Sequence, residues 1–388
     1  MALRSKLPQV GTTIFTVMSR RAAELGAVNL GQGYPDYDID PRLAELTAQA
    51  MRDGFNQYAP MPGLPRLLEA IAAKLARRYG SQVDSATEIT VTLGATEAIY
   101  SSVQALVGSG EEAIVFDPAY DSYEIAIQLA GARCVHVPLQ PPHFRYDWDR
   151  VREAITPRTR LIIINSPLNP GCTCVTADDM LTLAQLLRGR DIRLISDEVY
   201  EHIVFDGLEH HSVLKYPELR ERSVAVYSFG KTLHATGLRV GYAVAPPAIT
   251  TELRKVHQFN TFTIATALQQ AIAGYLAENP LCGESLGPFF AAKRELLSEQ
   301  LRSSGLTLPR AEGSFFQLID YGAHASAGDL EFAEQLLTQA RVATIPLSVF
   351  YEQPPAMTLL RLCIAKRDET LIDGAARLTA YLRRGAVA

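Results

Sequence analysis

The sequence predicts an α/β protein: a large doubly wound, mostly parallel seven-stranded sheet domain followed by a smaller α+β domain. Three observations carry that expectation. The chain has 388 residues, too many for one small core and enough for two domains. From Thr87 to about Val244, short β-branched runs alternate with helical patterns. Several of those runs, Ile162-Ile163-Ile164 and Leu194-Ile195 above all, are apolar at successive positions, as strands covered on both faces are.

Residues 1–45 carry Gly31-Gln32-Gly33-Tyr34-Pro35 and no sheet of their own, so they are expected to pack on the small domain. Residues 46–282 form the large domain. Its strands are predicted at Ile89–Thr92, Ala113–Phe116, Cys134–Val137, Leu161–Ile164, Ile192–Ser196, Ser223–Tyr227 and Val240–Val244. Between them Thr96–Val107, Ser122–Ala130, Ala177–Arg188 and Pro246–Gln258 read as helices. Residues 283–388 change character. A long helical pattern at Glu284–Ser303 is followed by a strand at Ser314–Ile319 and a helix near Asp329–Gln339. Short strands near Ala343 and at Leu359–Leu362 precede a last helix at Glu369–Leu382. A doubly wound sheet binds its ligand beyond the carboxyl ends of its strands, which is where chemistry is expected.

Bulk composition excludes several function classes. A hydrophobic fraction of 47% and a charged fraction of 20% are ordinary for a globular chain. The net charge of −5 leaves no basic excess to neutralise nucleic acid. No apolar run approaches the ~18 residues a membrane span needs. Met1-Ala2-Leu3-Arg4 is followed by no apolar stretch, so no secretory signal is expected. Cys134, Cys172, Cys174, Cys282 and Cys363 are odd in number and scattered, which fits a reducing cytoplasm. The Cys172-x-Cys174 pair has no second pair or histidine set to complete a zinc site, so no metal is expected. His210-His211 read as solvated loop residues.

Polar residues cluster just after the predicted strands. Ser223–Tyr227 runs into Ser228-Phe229-Gly230-Lys231-Thr232, and Ile192–Ser196 into Asp197-Glu198-Val199-Tyr200. Leu161–Ile164 ends in Asn165 and leads to Asn169-Pro170, and Ile89–Thr92 leads through Gly94-Ala95-Thr96 into a helix. A single lysine at a strand end is ordinarily a solvated surface residue. Lys231 differs because the other strand ends offer it partners. A buried amine has a lowered pKa and attacks an aldehyde. A carboxylate at Asp197 suits a protonated pyridine nitrogen. Tyr200 and Asn169 suit a phenolic oxygen. The helix start at Ala95-Thr96 suits a phosphate, as does the fixed charge of Arg239. Gly230-Lys231-Thr232 also suggests a nucleotide-binding phosphate loop, but the glycine that loop requires falls at Ala225, inside a strand.

The set Asn169-Pro170, Asp197-x-x-Tyr200, Ser228-x-x-Lys231 and Thr236-Gly237-x-Arg239-x-Gly241 resembles the class I aminotransferases of pyridoxal-phosphate (PLP) fold type I. The resemblance runs from Gly11 to about Leu382. It is most specific to the branch that holds bacterial methionine aminotransferase and the kynurenine/glutamine transaminases. Asn29-Leu30-Gly31-Gln32-Gly33-Tyr34-Pro35-Asp36, Asn56-Gln57-Tyr58-Ala59-Pro60, Phe116-Asp117-Pro118-Ala119-Tyr120-Asp121-Ser122-Tyr123 and Arg361-Leu362-Cys363-Ile364-Ala365-Lys366 support it. The order and spacing of the motifs make the match specific. Three departures stand out: Gly171-Cys172 where many relatives have threonine-glycine, Leu238 where tryptophan is common, and Ala267 at a usual proline position.

The resemblance implies a ping-pong transamination with Lys231 holding PLP as a Schiff base. Asp197 then pairs with the pyridine nitrogen, and Asn169 and Tyr200 hydrogen-bond the ring oxygen. Ala95, Thr96, Ser228 and Arg239 hold the phosphate, and Tyr120 stacks on the ring. Tyr58 is expected to reach the phosphate of a neighbouring subunit, which implies a homodimer. Arg361 is expected to grip the substrate α-carboxylate with Asn169 and the backbone of Gly33. Phe15, Tyr37, Tyr123 and Phe262 are expected to line an apolar side-chain pocket, with methionine favoured over kynurenine and aromatic amino acids. Two rivals are a carbon–sulfur β-lyase on the same fold and a non-catalytic regulator. The second is disfavoured because Asn29-Leu30-Gly31 comes too early for an added DNA-binding segment.

Overall fold

In the computed structural model, which describes residues 4–385, seven strands form one sheet. Its order is Ile89–Thr92, Gly241–Val244, Ser223–Ser228, Arg193–Asp197, Thr159–Asn165, Glu112–Asp117, Arg133–Pro138. Gly241–Val244 is antiparallel to both neighbours, and the other pairings are parallel. Each predicted strand lies within a residue or two of its observed position.

The successive apolar residues have a direct structural meaning. Side chains alternate across a strand. Ile114, Ile162, Ile164 and Leu194 point into one core with Leu183 and Leu187. Ala113, Val115, Leu161, Ile163 and Ile195 point into a second core with Ile99, Val103 and Leu253. Both faces are therefore covered. The covering helices on the second face include Gly94–Leu106, Ser122–Leu129 and Pro247–Asn260.

The small domain is built on an antiparallel sheet of Ile345–Pro346, Leu359–Cys363 and Phe316–Asp320. Helices Leu286–Leu301 and Asp368–Gly385 pack together beside it. The N-terminal segment does contribute a strand, contrary to expectation. Val28–Asn29 pairs in parallel with Val342–Ala343, which gives the Val28 and Leu30 amides their carbonyl partners on Arg341 and Ala343. The division at residues 45 and 46 falls inside one helix, Pro41–Arg52. Asp40 caps that helix, and it packs on Thr266–Glu278 of the large domain. No helix among the described residues is long and apolar enough to cross a membrane.

Candidate active site

A cavity of about 370 Å³ opens beyond the carboxyl ends of the parallel strands. The strand ends supply Tyr120, Asn169, Asp197, Tyr200 and Ser228 to its wall, and Lys231 follows in the one-turn helix Phe229–Thr232. The antiparallel side supplies Ala95, Thr96 and Arg239, the N-terminal segment Phe15 and Gly33, and the small domain Arg361. Residues far apart in sequence thus meet because each ends or follows a strand of one sheet.

One end of the cavity is shaped for an anion. Gly94 begins helix Gly94–Leu106 with φ of 72°, and a Cβ there would lie 2.6 Å from Arg239 Nη2. Only glycine lets the guanidinium reach the helix N-terminus, where backbone amides and the helix dipole already favour negative charge. Arg239 Nη2 lies 3.5 Å from the Thr96 hydroxyl. Gly241 closes this corner, since a Cβ there would strike the Ala95 nitrogen at 2.7 Å.

Lys231 Nζ lies 3.4 Å from the carbonyl oxygen of Gly33 and over the ring of Phe315 at 4.9 Å. Burial brings its pKa down to about 8, with Arg239 and Arg361 pushing the same way. Burial pushes Asp197 up to about 6, although the Tyr123 hydroxyl donates to Oδ2 at 2.6 Å and the Val199 amide to Oδ1 at 3.3 Å. Tyr123 was expected on the substrate side chain, and the structure turns it to Asp197 instead. It sits in the first turn of helix Ser122–Leu129, buried, with its hydroxyl directed at the sheet. Tyr123→Phe is expected to raise the Asp197 titration by about 1 to 2 pH units, because a hydrogen bond to the ionised form is lost. Carboxyl carbon shifts of the cofactor-free protein across pH 4 to 9 (roughly the span of a shifted carboxyl) measure it; an unmoved titration refutes it.

Arg361 occupies the opposite end and is 1% exposed. Its Nη1 donates to Asn169 Oδ1 at 2.7 Å and its Nη2 to the Gly31 carbonyl at 3.1 Å. Its guanidinium carbon lies 3.9 Å from the centre of the Phe316 ring, with Phe15 and Phe350 also beside it. The buried Nε has no partner among the described residues. The loop bearing Asn169 is itself tied to the small domain: the Glu312 and Gly313 amides donate to the Cys172 carbonyl at 2.7 and 3.2 Å.

Behind Tyr200 lies a buried ionic cluster that the sequence did not reveal. Glu201 pairs with Lys74, accepts from the Tyr79 hydroxyl at 2.6 Å and lies 3.5 Å from Arg78 Nε. Lys74 also donates to the Tyr242 hydroxyl at 2.8 Å. His210, expected in solvent, is buried here, between the Tyr79 hydroxyl and the Ser166 carbonyl. Its neighbours, not its sequence context, decide its burial.

Two more expected pocket residues lie elsewhere. Tyr37 packs edge-on to His234 and Phe289 around a separate depression. Phe262 packs edge-on against Tyr58 at a ring separation of 5.4 Å, outside the cavity. Tyr58 itself is 84% exposed and does not line this chain's cavity. The structure adds Asn165, whose side chain bridges the Asp197 carbonyl and the Asn169 amide, each at 2.8 Å. Its place at the end of strand Thr159–Asn165 was the available signal. Phe316, Gln32 and Asp121 also line the cavity.

Residues 26–378 match the family model "Aminotransferase class I and II". Methionine aminotransferase of Escherichia coli (strain K12) is 49% identical over 97% of this chain and 97% of its own length. Kynurenine–oxoglutarate transaminase 1 of Rattus norvegicus is 30% identical over 94% of this chain and 95% of its own. A solved Escherichia coli structure with an identified methionine aminotransferase function superimposes with a TM-score of 0.96. It shares 49% identity and covers 98% of this chain and 100% of that one.

Proposed function

The chain belongs to the class I and II aminotransferases, and from that premise we propose that it moves the α-amino group of an apolar or aromatic L-amino acid, methionine first, to a 2-oxo acid by a ping-pong route. The carrying observation is one cavity with the buried Lys231 amine between an anion cradle at Arg239 and the buried fork of Arg361. The family cofactor is pyridoxal 5′-phosphate, and the donor set fits it: a helix start with a guanidinium for the phosphate, a carboxylate for the ring nitrogen and an amine for the aldehyde. When bound, it supplies a carbonyl that takes up the amino group and a ring that accepts the electron pair left on the α-carbon.

The residues do the rest. Lys231 Nζ would hold the cofactor and, once freed by the incoming amine, would be the group placed to carry the α-proton. Asp197 holds the proton on the ring nitrogen, and Tyr123 keeps that carboxylate ionised. Tyr200 keeps its own proton, since burial raises its pKa well above the usual phenol value, so it donates to the ring oxygen together with Asn169. Arg361 and Asn169 orient the α-carboxylate and so set which bond to the α-carbon is broken. Ala95, Thr96, Ser228 and Arg239 bind the phosphate, and Tyr120 covers the ring.

Only the neutral amine attacks an aldehyde. The rate at which cofactor-free protein takes up PLP should therefore rise with pH and level off above about 8, instead of rising toward the ordinary lysine range near 10.5. Stopped-flow absorbance at the Schiff base band from pH 6 to 10 (about two units either side) tests this; a rate still climbing steeply past pH 9, about a unit above the level-off, refutes it.

The exposed Tyr58 and Phe262 support a homodimer in which Tyr58 reaches the neighbouring phosphate. Five free cysteines suit a cytoplasmic setting. The methionine preference rests on the 49% identity to the Escherichia coli enzyme. A panel of methionine, phenylalanine, kynurenine and glutamine against several 2-oxo acids tests it, with the highest kcat/KM expected for methionine. Kynurenine turned over faster would move the reading to the kynurenine/glutamine transaminases, where pyruvate and ammonia from cysteine conjugates would mark a β-lyase side reaction.

A further inference from the structure

Five charged side chains line the cavity: Asp121, Asp197, Lys231, Arg239 and Arg361. The proposed function, on which this inference rests, assigns four of them. Lys231 holds the cofactor, Arg239 its phosphate, Asp197 its ring nitrogen and Arg361 the α-carboxylate. Asp121 is left over. It stands exposed at the rim, just before helix Ser122–Leu129. Partial burial raises its pKa somewhat, opposed by the Ser122 backbone amide, which donates to the carboxylate. The positive charge acting on it is that of Arg361.

The wall near Arg361 is otherwise uncharged. Thr13, Phe15, Thr16 and Gln32 are among the other lining residues, and the Gln32 side chain is held by the Ser19 hydroxyl, which donates to its Oε1 at 2.8 Å. The segments around Tyr58 and Phe262, residues 56–63 and 259–266, contain no lysine or arginine. Among the described residues of this chain's cavity, a second carboxylate therefore meets one unassigned charge, the Asp121 carboxylate, and no unassigned cation.

We propose that Asp121 is a specificity-determining residue that excludes a second carboxylate from the cavity. In a ping-pong reaction donor and acceptor use the same cavity in turn. Both the amino acid and the 2-oxo acid are therefore selected for an uncharged side chain, and glutamate and 2-oxoglutarate are poor partners. Like charges several ångströms apart at a half-solvated rim discriminate by about tenfold, more at low salt.

The test uses the holoenzyme and its Asp121→Asn and Asp121→Glu variants. Dissociation constants of maleate and hydrocinnamate are read from the cofactor absorbance, and single-turnover rates are measured with glutamate and methionine. The wild type should favour the monocarboxylate in both. Asp121→Asn should shift both ratios toward the dicarboxylate by about fivefold to tenfold, and Asp121→Glu should keep the wild-type ratios. Ratios unchanged in Asp121→Asn, with methionine still reacting, overturn this inference alone. A wild type that reacts with no amino acid overturns the proposed function and this inference with it.

Discussion

Lys231→Ala is expected to lower methionine turnover by at least about a thousandfold, since one side chain is asked both to hold the cofactor and to carry the proton. Among the described residues no other lysine lines the cavity, so no neighbouring amine takes over. The fold should survive. Among the described residues the Lys231 side chain makes one hydrogen bond, at 3.4 Å to a backbone carbonyl, and shortening it leaves the one-turn helix Phe229–Thr232 intact. Near-ultraviolet circular dichroism should match the wild type. PLP should still bind through the cradle at Arg239 and Thr96, but without the visible band of its linkage to the protein. A small added amine should restore part of the rate, which separates a missing proton carrier from a collapsed site. Unchanged turnover in the variant would sink the assignment.

Glu201→Ala is expected to cost about 3–5 kcal/mol of stability, because it strands the buried ammonium of Lys74. Burial lowers the Lys74 pKa, and Glu201 is the main group opposing that. Arg78 also loses its carboxylate partner, although its bond to the Glu201 backbone carbonyl remains. Urea unfolding of the holoenzyme measures the loss. Replacing both partners with apolar residues, Lys74→Met with Glu201→Leu, should recover most of it, since the penalty comes from the unpaired charge. A double variant as weak as Glu201→Ala would show that the cluster acts through geometry instead.

Much of this molecule was legible in its sequence, and the reason is local. A strand covered on both faces must be apolar at successive positions, so Ile162-Ile163-Ile164 announces itself. A site beyond strand ends draws its residues from short runs after those strands, so Lys231, Asp197 and Asn169 were found as a set. What escaped depends on side-chain direction or on distant pairing. Tyr123 looks like pocket lining beside Tyr120, and only the docking of its helix turns the hydroxyl to Asp197. Tyr37 follows the Gly33 loop closely yet faces a different depression. Lys74 and Glu201 lie 127 positions apart, and nothing in the sequence pairs them. His210 read as solvated for the same reason.

The Arg361 end of the cavity is a seam. Asn169 belongs to the large domain and Arg361 to the small one, and their 2.7 Å bond crosses between them. The anion cradle, by contrast, lies wholly within the large domain. A ligand gripped by Arg361 and Asn169 therefore acts as a caliper on the alignment of the two domains, whereas one held at the cradle does not depend on the small domain. Mild heat or denaturant that loosens the small domain should erase affinity for the amino acid first, leaving a protein that still holds its cofactor but no longer measures its substrate.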